Sequence, residues 1–127
     1  MELNRPDVVA QVTEQFRRYE QAFVANDVAK LDELFWDDPR ALRFGAGENL
    51  YGHAAIAAFR LGRPAQDLAR ELLRVEITTF GTDFAVASAE FRRNASGVTG
   101  RQQQTWVRTD EGWRIVAAQV SHLPKVD

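Results

Sequence analysis

Apolar residues in the first part of the chain recur at helical spacing. Val8, Val9, Val12, Phe16, Tyr19 and Phe23 draw one stripe along a helix expected from Pro6 to about Asn26. Pro6 suits a first helical turn, and Asp7 suits the positive end of the helix dipole. Asn26-Asp27 interrupts the stripe and caps a short second helix, Val28 to about Phe35. Asp37-Asp38-Pro39 forms a turn before a short strand, Ala41 to Phe44, and a Gly-rich bend at residues 45–48. A third helix runs from Gly52 to about Leu61, with Ile56 and Phe59 as its buried side, and Gly62-Arg63-Pro64 ends it.

The period then changes to two. From Leu72 to Phe80, Leu73, Val75, Ile77 and Thr79 share one face, and Arg74, Glu76 and Thr78 the other. Gly81-Thr82-Asp83 turns the chain into a strand from Phe84 to Arg92, followed by a polar loop at 94–100. Arg101 to Thr109 and Trp113 to about His122 pair as a hairpin across Asp110-Glu111-Gly112. Helices first and long antiparallel strands afterwards mean an α+β fold, with the helices on one face of a curved sheet. No repeat or linker divides the chain, so residues 1–127 are expected to form one domain.

Composition narrows the classes of function. The net charge is −2 with acids and bases mixed, which argues against nucleic acid as a partner. There is no cysteine, so disulfides, thiolate metal sites and a Cys nucleophile are excluded. Two histidines, His53 and His122, are too few for a histidine-rich metal centre, and neither a metal nor a cofactor is expected. No apolar run reaches the ~20 residues of a membrane span, and the first residues lack an apolar leader core. A cytoplasmic protein is the expectation.

One position stands out in DPRALRFG at 38–45. Leu42 and Phe44 read as the buried face of their strand, which turns Arg43 the other way, between Ala41 and Gly45. Arg43 is either an exposed edge residue or a cavity cation that grips a carboxylate through its planar fork. Two strands offer it a hollow: AVASAE at 85–90 and IVAAQVS at 115–121 are rich in small residues. These residues allow either close helix packing or a pocket. Ser88, Glu90, Gln119 and Ser121 on these strands, with Gln102 and Gln104 on the strand from Arg101, would suit a wet pocket. Tyr19 belongs to the helix stripe, and its hydroxyl reaches any cavity that the helix covers. Trp36, Phe59 and Trp106 are apolar walls or plain core. Arg60 and Arg63 are either solvated or join Arg43 in a cationic patch. Ser121 and His122 point apart on a strand and cannot form a nucleophile–base pair, and no serine-hydrolase elbow is present.

Six segments together resemble one family: YEQAFVANDVAKLDELFW (19–36), RFGAGENLYG (43–52), IAAFRLGR (56–63), TTFG (78–81), QTWVR (104–108) and GWRIVAAQVSH (112–122). They are similar to the AtzH-like family of the nuclear transport factor 2-like superfamily, which also holds SnoaL-like and ketosteroid-isomerase-like proteins. The resemblance implies a cone-shaped sheet wrapped around helices, with a pocket inside and a homodimer through the sheet. It implies functional association with an amidase-signature hydrolase in nitrogen-compound catabolism. It also implies amide hydrolysis with decarboxylation of a small carboxylated urea, such as dicarboxyurea going to allophanate, or of an oxalurate-like compound. The family's catalytic tyrosine and arginine fall on Tyr19 and Arg43. Gln119 stands where the family pattern leads one to expect histidine, which bears on substrate choice.

Taken together, the expected site has Tyr19 and Arg43 as catalytic residues. Trp36, Phe59, Arg60, Arg63, Gln104, Trp106, Gln119 and His122 would bind a small anionic substrate. Two other readings stand beside the hydrolase. One is a carboxylate-binding or amidase-accessory protein with the same pocket. The other is a proton-transfer isomerase, for which Glu90 is the strand-borne base.

Overall fold

The stripe on the first helix goes where its spacing sends it. In the computed structural model, which describes residues 1–125, helix α1 (Pro6–Val24) buries Val8, Val12, Phe16, Tyr19, Ala22 and Phe23. The helix stops short of Asn26, which takes φ 52, a left-handed conformation that asparagine tolerates. The Asp27 N–H then closes onto the Ala22 carbonyl at 2.8 Å. The Asp27 side chain accepts from the Lys30 N–H at 3.1 Å and caps α2 (Val28–Leu34). Leu31 and Leu34 carry α2 into the core.

After the turn at 37–40 the chain runs through β1 (Leu42–Phe44), β2 (Asn49–Tyr51), α3 (His53–Gly62), β3 (Arg70–Phe80), β4 (Phe84–Arg93), β5 (Thr99–Thr109) and β6 (Gly112–His122). Strand β2, to which the sequence reading gives no element, pairs back on β1. The six strands form one curved sheet in the order β2-β1-β6-β5-β4-β3, antiparallel except that β1 and β6 run parallel. This is the α+β arrangement expected from helices followed by strands.

Two expectations about faces change. On β3 the register shifts between Leu72 and Arg74, so a bulge resets the alternation. Leu72 packs against the core, whereas Leu73 is 42% exposed. The small residues Ala85, Ala87 and Ala89 are buried in the same cluster as the α1 aromatics. They serve close packing, and the cavity opens elsewhere.

The interior holds charged groups as well as apolar ones. Arg70 donates from Nε and Nη2 to the Glu20 carboxylate at 3.2 and 2.6 Å, and its guanidinium lies between the Phe23 and Phe91 rings, 4.0 and 4.5 Å from their centroids. The Arg70 side chain is 1% exposed, so this pair fastens α1 to β3 out of water. Arg60, expected on a solvated or cavity-facing side of α3, turns inward. It bonds Asp32 on α2 at 3.1 Å and lies over Phe35, 4.5 Å from the ring centroid. At the far end of the sheet Gly100 leaves room for the Phe91 ring. A Cβ there would come within 2.5 Å of Phe91 Cζ and 2.8 Å of the Ser121 carbonyl oxygen.

Removing one partner of a buried ion pair leaves an uncompensated charge in the core. Glu20→Ala is expected to destabilise the protein by about 3 kcal/mol in denaturant unfolding. Gly100→Ala overpacks the Phe91 contact against backbone and is expected to cost about 1–3 kcal/mol by the same measurement.

Candidate functional site

Strand β1 is three residues long, and pairing with two neighbours sets its orientation. Arg43 stands opposite Ala118 of β6, and Leu42 and Phe44 stand opposite Ala117 and Gln119. The outcome reverses the expectation for this stretch. Arg43 is the residue that points into the molecule, 7% exposed, while Leu42 and Phe44 are half-buried on the outer face. Alternation had shown correctly that Arg43 faces away from the other two. It could not show which of the two faces was inside.

Arg43 lines a cavity of about 460 Å³. The cavity lies where the end of α3 and the segment after it meet the β1–β2 loop and the last residues of β4 and β6. Phe23 and Phe59 supply apolar surface, and Arg43, Arg63, Arg93 and His122 supply donors. Glu48 and Asp67 are its two acids. Three guanidinium groups against two carboxylates leave the lining cationic in a protein of net charge −2.

Each arginine is held differently. Arg43 donates from Nη1 to Glu48 Oε1 at 3.1 Å, and its Cζ lies 5.7 Å from the Phe59 ring centroid. Arg63 lies over Phe23, 5.1 Å from the centroid, and reaches Asn26 Oδ1 at 3.4 Å. Its Nε is buried with no hydrogen-bond partner among the described residues. Arg93 donates from Nη1 to the Asp67 carbonyl at 2.8 Å and flanks Phe91 at 5.2 Å. Burial lowers the pKa of Arg63; the Tyr19 phenol acts in the other direction, and Arg43, Arg60 and Arg93 lower it further. Burial also lowers the pKa of Arg93, with Arg70 adding to the effect, Asp67 opposing it and Arg43 contributing. The guanidinium groups therefore act on one another, and an incoming anion would relieve their repulsion.

The residues expected at the site divide. Arg43, Phe59, Arg63 and His122 meet at the cavity. Tyr19 is 2% exposed and packs its ring against Phe23 and Phe35, with centroids 6.3 and 6.4 Å away. It stands behind the Phe23 wall, outside the lining. Arg60 is spent on Asp32. Trp106 is fully buried core and donates to Gln104 Oε1 at 3.1 Å. Trp36 is half-buried beneath Arg40, whose Cζ is 5.0 Å from its ring centroid. Gln119 lies on the outer face, exposed, beside Phe44 and Gln103. It does so because β6 alternates, and Ala118 and Val120 take the inward positions.

Gln104 is 1% exposed, and its Nε2 has no hydrogen-bond partner among the described residues. It shares one row of the sheet with Arg43: Arg43 pairs with Ala118, Ala118 with Gln104, and Gln104 with Ala87.

Sequence reasoning overlooked Arg93 and gave no role to Asp67. The signal for Arg93 was present, since the alternation of Ala85, Ala87, Ala89 and Phe91 continues onto it. Glu90, Ser88 and Ser121 line a different depression of about 400 Å³ on the outer face. Its charges are solvated and satisfied locally, as in the Arg74–Glu76 pair at 3.0 Å. Glu90 is exposed there, so it cannot be the base of a proton-transfer isomerase working in the inner cavity. Among the described residues no group of three His, Asp or Glu side chains is placed to hold a metal ion. No helix among them is long and apolar enough to cross a membrane.

Known proteins with this arrangement are structural relatives. The chain superposes on a protein of unknown function from Pectobacterium atrosepticum at 58% identity and TM-score 0.93, covering 96% of this chain and 95% of that one. A cystatin-like fold protein from Burkholderia xenovorans matches at 45% identity and TM-score 0.94, with 99% of each chain covered. A nuclear transport factor 2-like superfamily protein from Salmonella enterica shares the fold at 24% identity and TM-score 0.78, over 96% of this chain and 95% of that one. No curated protein matches the chain. The family model described as AtzH-like matches residues 1–125. The match over nearly the whole length and the close superpositions agree: the chain belongs to the AtzH-like family and has the nuclear transport factor 2-like fold.

Proposed function

We propose that the protein is a decarboxylating amidohydrolase acting on a small carboxylated urea, of the dicarboxyurea or oxalurate kind. The observation that carries this reading is the buried guanidinium of Arg43 at a cavity that also holds Arg63 and Arg93. A cavity of about 460 Å³ suits a small molecule. Three cations with aromatic backing suit a substrate that carries carboxylate at more than one end.

In the proposed chemistry Arg43 holds the substrate carboxylate and stabilises negative charge as it builds on the reacting carbonyl. With a dicarboxyurea-like substrate, loss of carbon dioxide from an N-carboxyl group breaks the carbon–nitrogen bond; with an oxalurate-like substrate, which has no N-carboxyl group, water adds to the amide carbonyl and the carbon–nitrogen bond breaks to leave oxalate. The electron pair stays on nitrogen, which takes up one proton. The resemblance assigns that proton to Tyr19, whose ring lies behind the Phe23 wall of the cavity. The sequence likeness further suggests that two copies pair through the sheet; Leu42 and Phe44 on the outer face support that part of the reading.

A second reading is a carboxylate-binding protein without turnover, possessing the same cavity. The placement of Tyr19 favours it, because the ring sits in the aromatic core outside the residues that line the cavity.

Purified protein incubated with small carboxylated ureas separates the two by release of carbon dioxide or ammonia. Turnover is expected in the wild type. In Arg43→Met, kcat/KM is expected to fall by about 10³-fold or more, with a circular dichroism spectrum like that of the wild type. Wild-type-like activity in that variant would remove Arg43 from the chemistry. Binding by calorimetry without product would establish the second reading.

A further inference from the structure

The acid that faces Arg43 comes from a loop. Arg60 and Arg70 bond acids on helices, Asp32 on α2 and Glu20 on α1. Glu48 instead sits in the β1–β2 loop, two residues past Ala46 at the cavity mouth, and its side chain is 26% exposed. It engages Arg43 through one nitrogen, Nη1 to Oε1 at 3.1 Å, where Glu20 takes both Nε and Nη2 of Arg70. This is a single-point contact on a fork that can make two parallel bonds with a carboxylate.

The loop is shaped to let the Glu48 side chain lie back. It crosses over Gly45. A Cβ added at Gly45 would fall on Glu48 Oε1 and 2.5 Å from its carboxyl carbon, and the nearest atoms it meets all belong to the Glu48 side chain. The Gly45 backbone is not in the left-handed region, so nothing but this contact calls for glycine. The missing side chain makes room for the carboxylate of Glu48.

We propose that Glu48 is an internal stand-in for the substrate carboxylate, bonded to Arg43 and displaced when a ligand binds. The inference rests on the reading of Arg43 as the carboxylate-binding residue. It makes Glu48 a specificity-determining residue. A buried guanidinium needs an anion at all times, and Glu48 supplies one when no ligand is present. A ligand must then exchange its own carboxylate for that of Glu48. A carboxylate that engages the fork by two parallel bonds can do so. A neutral amide or urea cannot, because it would leave Arg43 without a counter-charge. The stand-in thus lowers affinity for all ligands by the fraction of time that it occupies Arg43, and selects for carboxylates among them.

The test is calorimetric titration of oxalurate, and of urea as the neutral comparison, into four proteins: wild type, Glu48→Gln, Gly45→Ala and Arg43→Met. Glu48→Gln removes the competing charge. Gly45→Ala keeps the charge but forces the side chain off Arg43. Both are expected to lower the oxalurate Kd by about tenfold, the effect of freeing a site that is open about a tenth of the time. Neither is expected to create measurable urea binding. Arg43→Met is expected to lose oxalurate binding. If Glu48→Gln and Gly45→Ala bind oxalurate no better than wild type while Arg43→Met loses it, Glu48 is a strut or a ligand-holder and the inference is wrong. If Arg43→Met binds as wild type does, or if no protein of the four binds oxalurate, the carboxylate reading of Arg43 fails, and the stand-in with it.

Discussion

A guanidinium removed from water must be given an anion, and three such groups are buried in this small protein. Desolvating an ion costs several kcal/mol unless a partner offsets it. Arg43, Arg60 and Arg70 each receive one acid and at least one aromatic face. The placement of those acids organises the molecule. Glu20 ties the first helix to β3, and Asp32 ties the second helix to the third. Both acids stand on regular structure, so both pairs are fixed with the fold. The acid of Arg43 stands on a loop, and the proposed exchange rests on that difference.

The electrostatic character of the cavity follows from the same constraint. Arg63 and Arg93 have no acidic side chain bonded to them among the described residues; they lean on aromatic rings, an asparagine oxygen and a backbone carbonyl. Burial and mutual repulsion destabilise their charged forms. The lining is thus locally cationic even though the whole protein is acidic, because local field and net charge are separate quantities. Phe91 and Phe23 carry much of the arrangement. Phe91 supports Arg70, Arg93 and the edge of His122, and Phe23 supports Arg63 and Arg70.

The helices were legible in the sequence because a stripe such as Val8-Val12-Phe16-Tyr19-Phe23 has one explanation. The long strands were legible because their alternation runs for many residues. Strand β1 was harder, since three residues reveal which side chains share a face and nothing about which face is covered. That depended on β6, which arrives from the other end of the chain. The bulge at Leu73 was hidden for a related reason: a one-residue slip leaves the composition of a strand unchanged. Arg43, Phe59, Arg63 and His122 could be named early because their neighbours are small, or because they end elements. Arg60 was misplaced because its partner, Asp32, lies on a different helix, and no local pattern announces such a pair. Gln119 points outward because β6 alternates, with Ala118 and Val120 facing in, although its polar character suits a pocket.

The parallel pairing of β1 with β6 has a consequence for how the protein is made. The four long strands are joined in sequence by short turns and can pair as they emerge. The strand bearing Arg43 cannot. Its inner neighbour, Ala118, belongs to the last strand of the chain, so β1 must wait for nearly all of the polypeptide before it can dock. Contacts between distant parts of a chain form late because the loop between them must first be closed. The Arg43 end of the cavity therefore cannot be completed before β6 is made, and a polypeptide cut short before β6 would lack the strand against which Arg43 is positioned.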